Sequence, residues 1–476
     1  MKQKTIRRYV LDDDERDVLY EKFIKSKEIE SINEGIAFSR KELNKNLFSY
    51  QSDIVAWALK KGRCAIFSDC GTGKTIMQLA WADMIHKRTG GKVILICPLS
   101  VAEQTRREAV KFHIQSPVKV CRNQSDVISG INITNYEMLQ HFEPDAFNCV
   151  VLDESSILKS FTSATRNELI DAFARTPFKL CCTASPAPND HSELGNTVEF
   201  LGIMSRTEML STYFIHDGSD TSKWRLKGYG EKKFWEFVAT WAVCVRNPAD
   251  LGYSNDGFVL PRLNIIEHVV ESKPTEGLLI AKRAETLSER REARRESMQD
   301  RVKIANELTQ SNQSKWLVWC DLNAESEALH KAITDSVEVV GSDKPDYKAK
   351  TAIDFASGDI RVLVSKASIF GFGMNFQTCH NMIFCGLSDS YEQFYQAIRR
   401  CWRYGQSHDV DVHVIISEAE LNVLDNIKRK QADMETMQNN MVALMHDVTM
   451  SEIKHTTRIT TDYKPHERME IPAWIA

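Results

Sequence analysis

Eight consecutive residues, Ser68-Asp69-Cys70-Gly71-Thr72-Gly73-Lys74-Thr75, set glycines before a lysine and a hydroxyl in the order that phosphate binding requires. An apolar run precedes them and a helical pattern follows. Glycines let a backbone wrap phosphate oxygens, and the start of a helix adds N–H donors and the positive end of its dipole. Cys70, Gly71, Thr72 and Gly73 would form the cradle. Lys74 would reach the β- and γ-phosphates of ATP, and the Thr75 hydroxyl would hold Mg²⁺. Ser68 stands where the strict pattern has its first glycine, so the match is partial.

A second constellation lies in Cys149-Val150-Val151-Leu152-Asp153-Glu154-Ser155-Ser156, an apolar strand pattern ending in two adjacent carboxylates. Packing gives no reason for such an ending. Mg²⁺ coordination by Asp153 and water activation by Glu154 would. Alone the signal is weak, but in the same α/β segment as the glycine-rich loop it is strong. Further on, Gln396-Ala397-Ile398-Arg399-Arg400-Cys401-Trp402-Arg403-Tyr404-Gly405-Gln406 spaces Arg400 and Arg403 one helical turn apart. Such a pair can meet a γ-phosphate held by another domain, as arginine fingers do. The plainer alternative is a basic surface face, which Trp402 and the glycine turn disfavour.

The elements that must position these residues follow one rhythm: a short apolar run, a turn, then an amphipathic helical stretch. Strand patterns fall at Cys64–Ser68, Val93–Cys97, Val118–Cys121, Ile131–Thr134, Cys149–Leu152 and Lys179–Thr183. The rhythm returns at Trp316–Trp319, Val337–Val340, Val362–Val364, Met382–Phe384 and Val412–Ile416. Apolar runs of this length alternating with helices predict parallel sheets covered on both faces. Between them, from Asp190 to Arg262, the pattern is helical and aromatic with no strand of the same kind. The stretch Ala281–Asn306 interleaves Arg283, Arg290, Arg291, Arg294 and Arg295 with Glu285, Glu289, Glu292 and Glu296. That reads as a solvated helix laced with i,i+4 pairs, or else as a basic DNA-facing side.

Composition bounds the rest. A chain of 476 residues, 42% hydrophobic and 26% charged, suits two to three soluble domains. The net charge of −4 excludes a uniformly basic coat but not a basic groove. No apolar run approaches the ~18 residues that would span a bilayer, and the chain's start resembles no signal peptide. A cytoplasmic location without membrane contact is therefore expected. Twelve cysteines are present, none in a C-x-x-C pair, which predicts reduced thiols buried as small hydrophobes.

Taken in order, these motifs resemble helicase superfamily two, and within it the Swi/Snf-type branch in the forms common in bacteriophages and prophages. The resemblance runs from about Leu47 to Ile416. Phe48-Ser49-Tyr50-Gln51 resembles the Q motif, which implies that Gln51 contacts adenine. Pro98-Leu99-Ser100-Val101 resembles motif Ia and Thr134-Asn135-Tyr136-Glu137 motif Ib, implying DNA-backbone contacts at Pro98, Ser100, Thr134, Asn135 and Tyr136. Thr183–Asn189 resembles motif III, and Gly371-Phe372-Gly373-Met374-Asn375 resembles motif V, which puts Gly373 at the nucleotide. The Gln396–Gln406 run is close to motif VI. Val245–Asp250 with Leu260-Pro261 resembles the insertion between the lobes of Swi/Snf-type motors. Asp153-Glu154-Ser155-Ser156 departs from the more usual DEAH ending, which leaves the residues that couple hydrolysis to motion unassigned.

The resemblance implies an α/β fold: two tandem RecA-like domains of the P-loop NTPase class with a helical insertion between them. The expected organisation is accessory helices over 1–43, an ATP-binding domain over 44–189, the insertion over 190–261, a C-terminal helicase domain over 262–430 and a tail over 431–476. The implied function is an ATP- and Mg²⁺-dependent DNA translocase or helicase. It would act as a monomer on duplex or branched DNA irrespective of sequence, in phage recombination, repair or replication within a host cytoplasm. No appended targeting domain is recognisable, which leaves room for a protein partner. An RNA helicase and a non-hydrolysing DNA-binding scaffold are the alternatives.

Overall fold

The computed structural model describes residues 34–99, 101–160, 162–188, 190–216, 224–227, 230–271, 287–370, 375–388 and 390–454. Two fully parallel sheets form its frame. The first lobe contains β1 (Arg63–Ser68), β2 (Val93–Cys97), β3 (Val118–Val120), β4 (Ile131–Asn135), β5 (Cys149–Asp153) and β6 (Phe178–Thr183). Next comes a small antiparallel hairpin of β7 (Phe214–His216) and β8 (Trp224–Leu226). β9 (Ala242–Val245) then returns to the first sheet, whose seven strands run in the order β3-β4-β2-β5-β6-β1-β9.

The second lobe contains β10 (Leu263–Val270), β11 (Trp316–Cys320), β12 (Ser336–Val339), β13 (Val362–Lys366), β14 (Asn381–Cys385) and β15 (Val410–Ser417). Its six strands are ordered β10-β15-β14-β11-β13-β12. Central strands are wholly buried: every residue of β2, β4, β5, β11 and β14 lies in the core. Both sheets are therefore covered on two faces, as continuous apolar runs demand. The fold is α/β, with two RecA-like domains.

Three expectations need correction. Asp190–Arg262 does contain a strand, because β9 pairs in parallel with β1, from Ala65 opposite Ala242 to Ser68 opposite Val245. The segment is thus partly built into the first sheet, with helices Leu194–Leu201, Arg206–Tyr213 and Glu231–Trp241 preceding that strand. The basic stretch is not simply a solvated face. Arg294 is buried and pairs with Glu420 and Asp321, and Arg301 is wholly buried against Glu325 at 2.7 Å. Removing one partner of such a pair leaves an uncompensated charge in the core, at a cost of roughly 3–5 kcal/mol. Finally, no separate tail begins at 431. One helix of 34 residues, Leu421–Lys454, leaves the second lobe and packs against helix Glu231–Trp241, β9 and helix Ser49–Lys61 of the first.

The cysteines match expectation: all 12 are free, and every one except Cys70 is buried. No helix among the described residues is long and apolar enough to cross a membrane. The first 33 residues, Ala281–Thr286 and the C-terminal Ile471-Pro472-Ala473-Trp474 lie outside the described residues, as do Ser100, Asn189 and Gly371–Met374 with Gly373 among them.

Candidate active site between the two lobes

A parallel sheet gathers the loops after its strands along one edge, where such folds bind ligands. In the first lobe that edge holds the glycine-rich loop after β1, Pro98 and Leu99 after β2, Asn135 at the end of β4, Asp153 at the end of β5 and Thr183 at the end of β6. Gly71 and Gly73 sit at φ of +87° and +85°, a backbone region open chiefly to glycine. The helix Lys74–Thr89 opens immediately afterwards, so the loop aims its donors where an anion would sit. Lys74 Nζ donates to the carbonyls of Ser68 at 2.8 Å and Asp69 at 3.3 Å. The Thr72 hydroxyl donates to the Asp69 carbonyl at 2.6 Å, which folds the loop on itself.

Gln51 does something the sequence reading did not anticipate. Its Oε1 accepts from the Phe48 N–H at 2.9 Å, and its Nε2 donates to the Thr72 carbonyl at 2.8 Å. The Tyr50 hydroxyl donates to the same carbonyl at 2.6 Å. Gln51 thus braces the glycine-rich loop with both ends of its amide. Beside it Phe48, Phe258 and Tyr404 form an aromatic cluster, with ring centroids 5.5 Å apart for Phe48–Phe258 and 4.8 Å for Phe258–Tyr404.

Asp153 ends β5 in a buried position. Burial and the neighbouring Glu154 push its carboxyl up to about 7, with Lys74 opposing them. Glu154 takes a left-handed conformation at φ +54°, rare for a residue with a side chain. Such a conformation costs on the order of 1–3 kcal/mol and persists where surrounding contacts impose it, often at working sites. Thr183 Oγ1 lies 3.4 Å from Glu154 Oε2, and the Tyr136 hydroxyl donates to the Asp153 carbonyl at 2.7 Å. The donor set suits Mg²⁺. A carboxylate and the Thr75 hydroxyl are hard oxygen ligands, and this cation is usually held by one or two carboxylates plus substrate phosphates and water. A cation would also relieve the charge that burial penalises at Asp153.

The DNA contacts expected at motif Ib are placed differently. Thr134 and Asn135 are only 1% and 8% exposed, closed in where β4 pairs with β2. Tyr136 turns its hydroxyl to Asp153. Thr134 and Asn135 are thus closed in, and Tyr136 is committed to the carboxylate strand, so none of the three offers an open surface to a nucleic-acid backbone. Pro98 is half-buried and Leu99 projects at 69% exposure, so the loop after β2 is the more accessible edge.

The second lobe closes directly onto the glycine-rich loop. A Cβ on Gly71 would stand 3.0 Å from the Tyr404 backbone nitrogen and 3.6 Å from the Arg403 Cβ. Arg400 is buried, donating from Nε to the Gln396 carbonyl at 2.9 Å. Burial pushes the pKa of both arginines down. Arg403, with Arg400 beside it, is pushed down to about 10. Arg400 is buried and Arg403 half-buried, and two cations this close favour an anion between the lobes. Gly71→Ala is expected to cost about 1–3 kcal/mol through its positive φ alone, and to hinder closure besides. A thermal-denaturation midpoint equal to that of the unmodified protein would contradict this.

One residue at this junction escaped the sequence reading. Arg399 NH2 lies 2.8 Å from Asp69 Oδ2 and donates to the Cys70 carbonyl at 2.6 Å. Complementary charge at positions 69 and 399 was the available signal, but only the fold brings the two together.

Comparisons with known proteins give the chain its family. Residues 50–216 match the SNF2-related domain, and residues 300–405 match the helicase conserved C-terminal domain. The chain is 22% identical over 443 residues to the mouse DNA annealing helicase and endonuclease ZRANB3, covering 80% of this chain and 40% of that protein. The bovine protein of the same name is 22% identical over 433 residues, covering 80% of this chain and 39% of its own. The chain therefore spans about two fifths of the length of these curated relatives. Among solved structures, the Sulfolobus solfataricus SWI2/SNF2 ATPase core in complex with dsDNA covers 87% of this chain at 16% identity, with a TM-score of 0.41.

Proposed function

Since the chain belongs to the Swi/Snf branch of helicase superfamily two, we propose that it is a DNA-stimulated ATPase that translocates on duplex or branched DNA. The observation that carries this is the meeting of the glycine-rich loop with Arg400 and Arg403 across the interlobe cleft. Neither lobe holds both halves of that site, so turnover depends on closure.

In this reading Lys74 and the backbone donors of Cys70–Gly73 anchor the phosphates on the first lobe. Asp153 and Thr75 would hold Mg²⁺, which when bound would neutralise phosphate charge. Glu154 orients and deprotonates the attacking water from its left-handed turn. Arg400 and Arg403 approach from the second lobe and stabilise charge that builds on the departing phosphoryl group. Loss of that bridging charge on hydrolysis weakens the hold between lobes, and the cleft reopens. If each lobe grips the backbone of one strand through the loops at its own edge, repeated closure moves the protein stepwise along that strand. Phosphate contacts give grip without sequence preference.

The setting that suits these properties is recombination, repair or replication of phage DNA, where branched duplexes arise. The test measures ATP hydrolysis with duplex, forked and single-stranded DNA and with RNA of equal length. Duplex or forked DNA is expected to stimulate most, irrespective of base sequence. Affinity should fall steeply with salt, since each neutralised phosphate releases condensed counterion. Stimulation by RNA alone would make the protein an RNA helicase, and binding without hydrolysis would make it a scaffold.

A further inference from the structure

The first turn of the glycine-rich loop is gripped by the second lobe through a group distinct from the two finger arginines. Asp69 Oδ1 accepts from the Tyr395 hydroxyl at 2.5 Å and from the Cys70 N–H at 2.6 Å. Asp69 Oδ2 pairs with Arg399 at 2.8 Å, while Arg399 also donates to the Cys70 carbonyl at 2.6 Å. The guanidinium is almost wholly buried, lying between the rings of Tyr395 at 5.6 Å and Trp402 at 4.9 Å. Trp402 is fixed in turn by donation of its Nε1–H to the Pro261 carbonyl at 2.8 Å. One carboxylate on the nucleotide loop therefore meets two second-lobe side chains, Tyr395 and Arg399, with Trp402 packed against the guanidinium.

We propose that Asp69, Tyr395 and Arg399 form an interlobe latch that shapes the glycine-rich loop only when the lobes are closed, making Arg399 a positioning residue for Arg400 and Arg403. Three features support it. Both carboxylate oxygens of Asp69 are used, and three donors reach them, so the side chain is held in one orientation. Asp69 and Cys70 open the loop whose backbone is to receive phosphate, so their geometry bears directly on the cradle. Arg399 adjoins Arg400 at the end of helix Tyr391–Ile398, so its grip on the first lobe fixes where the fingers arrive. Burial acts against the charge of Arg399, but the groups around it, Asp69 foremost, together outweigh burial and keep the guanidinium protonated. Charge-assisted hydrogen bonds in a closed site are strong and directional, and opening the cleft would break all those that cross it at once.

This inference rests on the proposed ATPase reading, and the experiment keeps the two apart. A full-length protein carrying one dye on each lobe reports closure by energy transfer, with and without a non-hydrolysable ATP analogue. Hydrolysis is followed in parallel with saturating duplex DNA. Arg399→Ala is expected to lower kcat and the closed fraction about tenfold or more, in line with coupling energies of close buried charge pairs. Binding of the fluorescent analogue should change far less than kcat. Arg399→Lys, which restores charge without the planar fork, should recover part of both losses. In a double-mutant cycle, Asp69→Asn and Arg399→Ala should be strongly non-additive. Unchanged kcat and unchanged closure in Arg399→Ala would overturn the latch. So would a loss confined to analogue affinity with closure intact, or simple additivity in the cycle. Absence of hydrolysis in the unmodified protein would instead refute the ATPase reading, while the energy-transfer arm would still read the latch.

Discussion

Glu154→Gln is expected to leave ATP bound and to reduce turnover by about 10²–10⁴-fold, the usual contribution of a positioned general base. The amide keeps the shape of the side chain and the left-handed turn at Glu154 but cannot accept the proton of the attacking water. Lys74→Ala should act on the other side of the same event. The Lys74 ammonium is held at the loop by the Ser68 and Asp69 carbonyls. Without it the phosphates lose their anchor, and both affinity and hydrolysis should collapse. Nucleotide binding by fluorescence and phosphate release on the same preparations distinguish the two variants. Unmodified hydrolysis by Glu154→Gln would remove Glu154 from the role of base.

The second large effect concerns the arginines. Arg400→Ala and Arg403→Ala are each expected to lower kcat by roughly a thousandfold or more, the scale on which such fingers act. Affinity for ATP should be largely kept, because the first lobe supplies the anchor. Arg403 is the cleaner test. Arg400 also donates to the carbonyl and amide oxygens of Gln396, so its loss disturbs the local turn as well. If Arg403→Ala hydrolyses ATP at the unmodified rate, the cleft is not the site of phosphoryl transfer. Restoration by Arg403→Lys to only a small fraction of activity would fit loss of the planar, multi-donor head.

How much was legible from residues alone varied with how local the physics was. The buried strands stood out because each is a short apolar run bounded by turns, and β2 begins and ends where the pattern predicts. β9 did not, because helix Glu231–Trp241 runs straight into Ala242 with no glycine or proline between them to mark the change. β10 was missed for a different reason. It is an edge strand with half-exposed faces, where Ile265, Ile266 and Val269 meet solvent and no buried run appears. The loop glycines, Lys74 and the Asp153–Glu154 pair were legible because their chemistry is fixed by adjacent residues. The burial of Arg294 was not, since its partner Glu420 lies 126 positions away. Gln51 was read as a base contact from its motif, whereas its amide is committed to the loop backbone. The link from Asp69 to Tyr395, 326 positions apart, exists only once two sheets have folded and met.

Helix Leu421–Lys454 has a mechanical consequence. At 1.5 Å per residue it is a rod of about 51 Å, rooted just beyond β15 of one lobe and lying across the other. The middle of its buried side carries Met434, Met437, Met441, Met445 and Val448, spaced three or four residues apart along a single stripe. Methionine is unbranched and readily repacks, so a stripe of it keeps apolar contact while its neighbour shifts by an ångström or two. At Gln438 the rod also donates to the Ala184 carbonyl at 3.2 Å, just past the strand end that carries Thr183. A stripe of this kind would let one lobe shift against the other without exposing core.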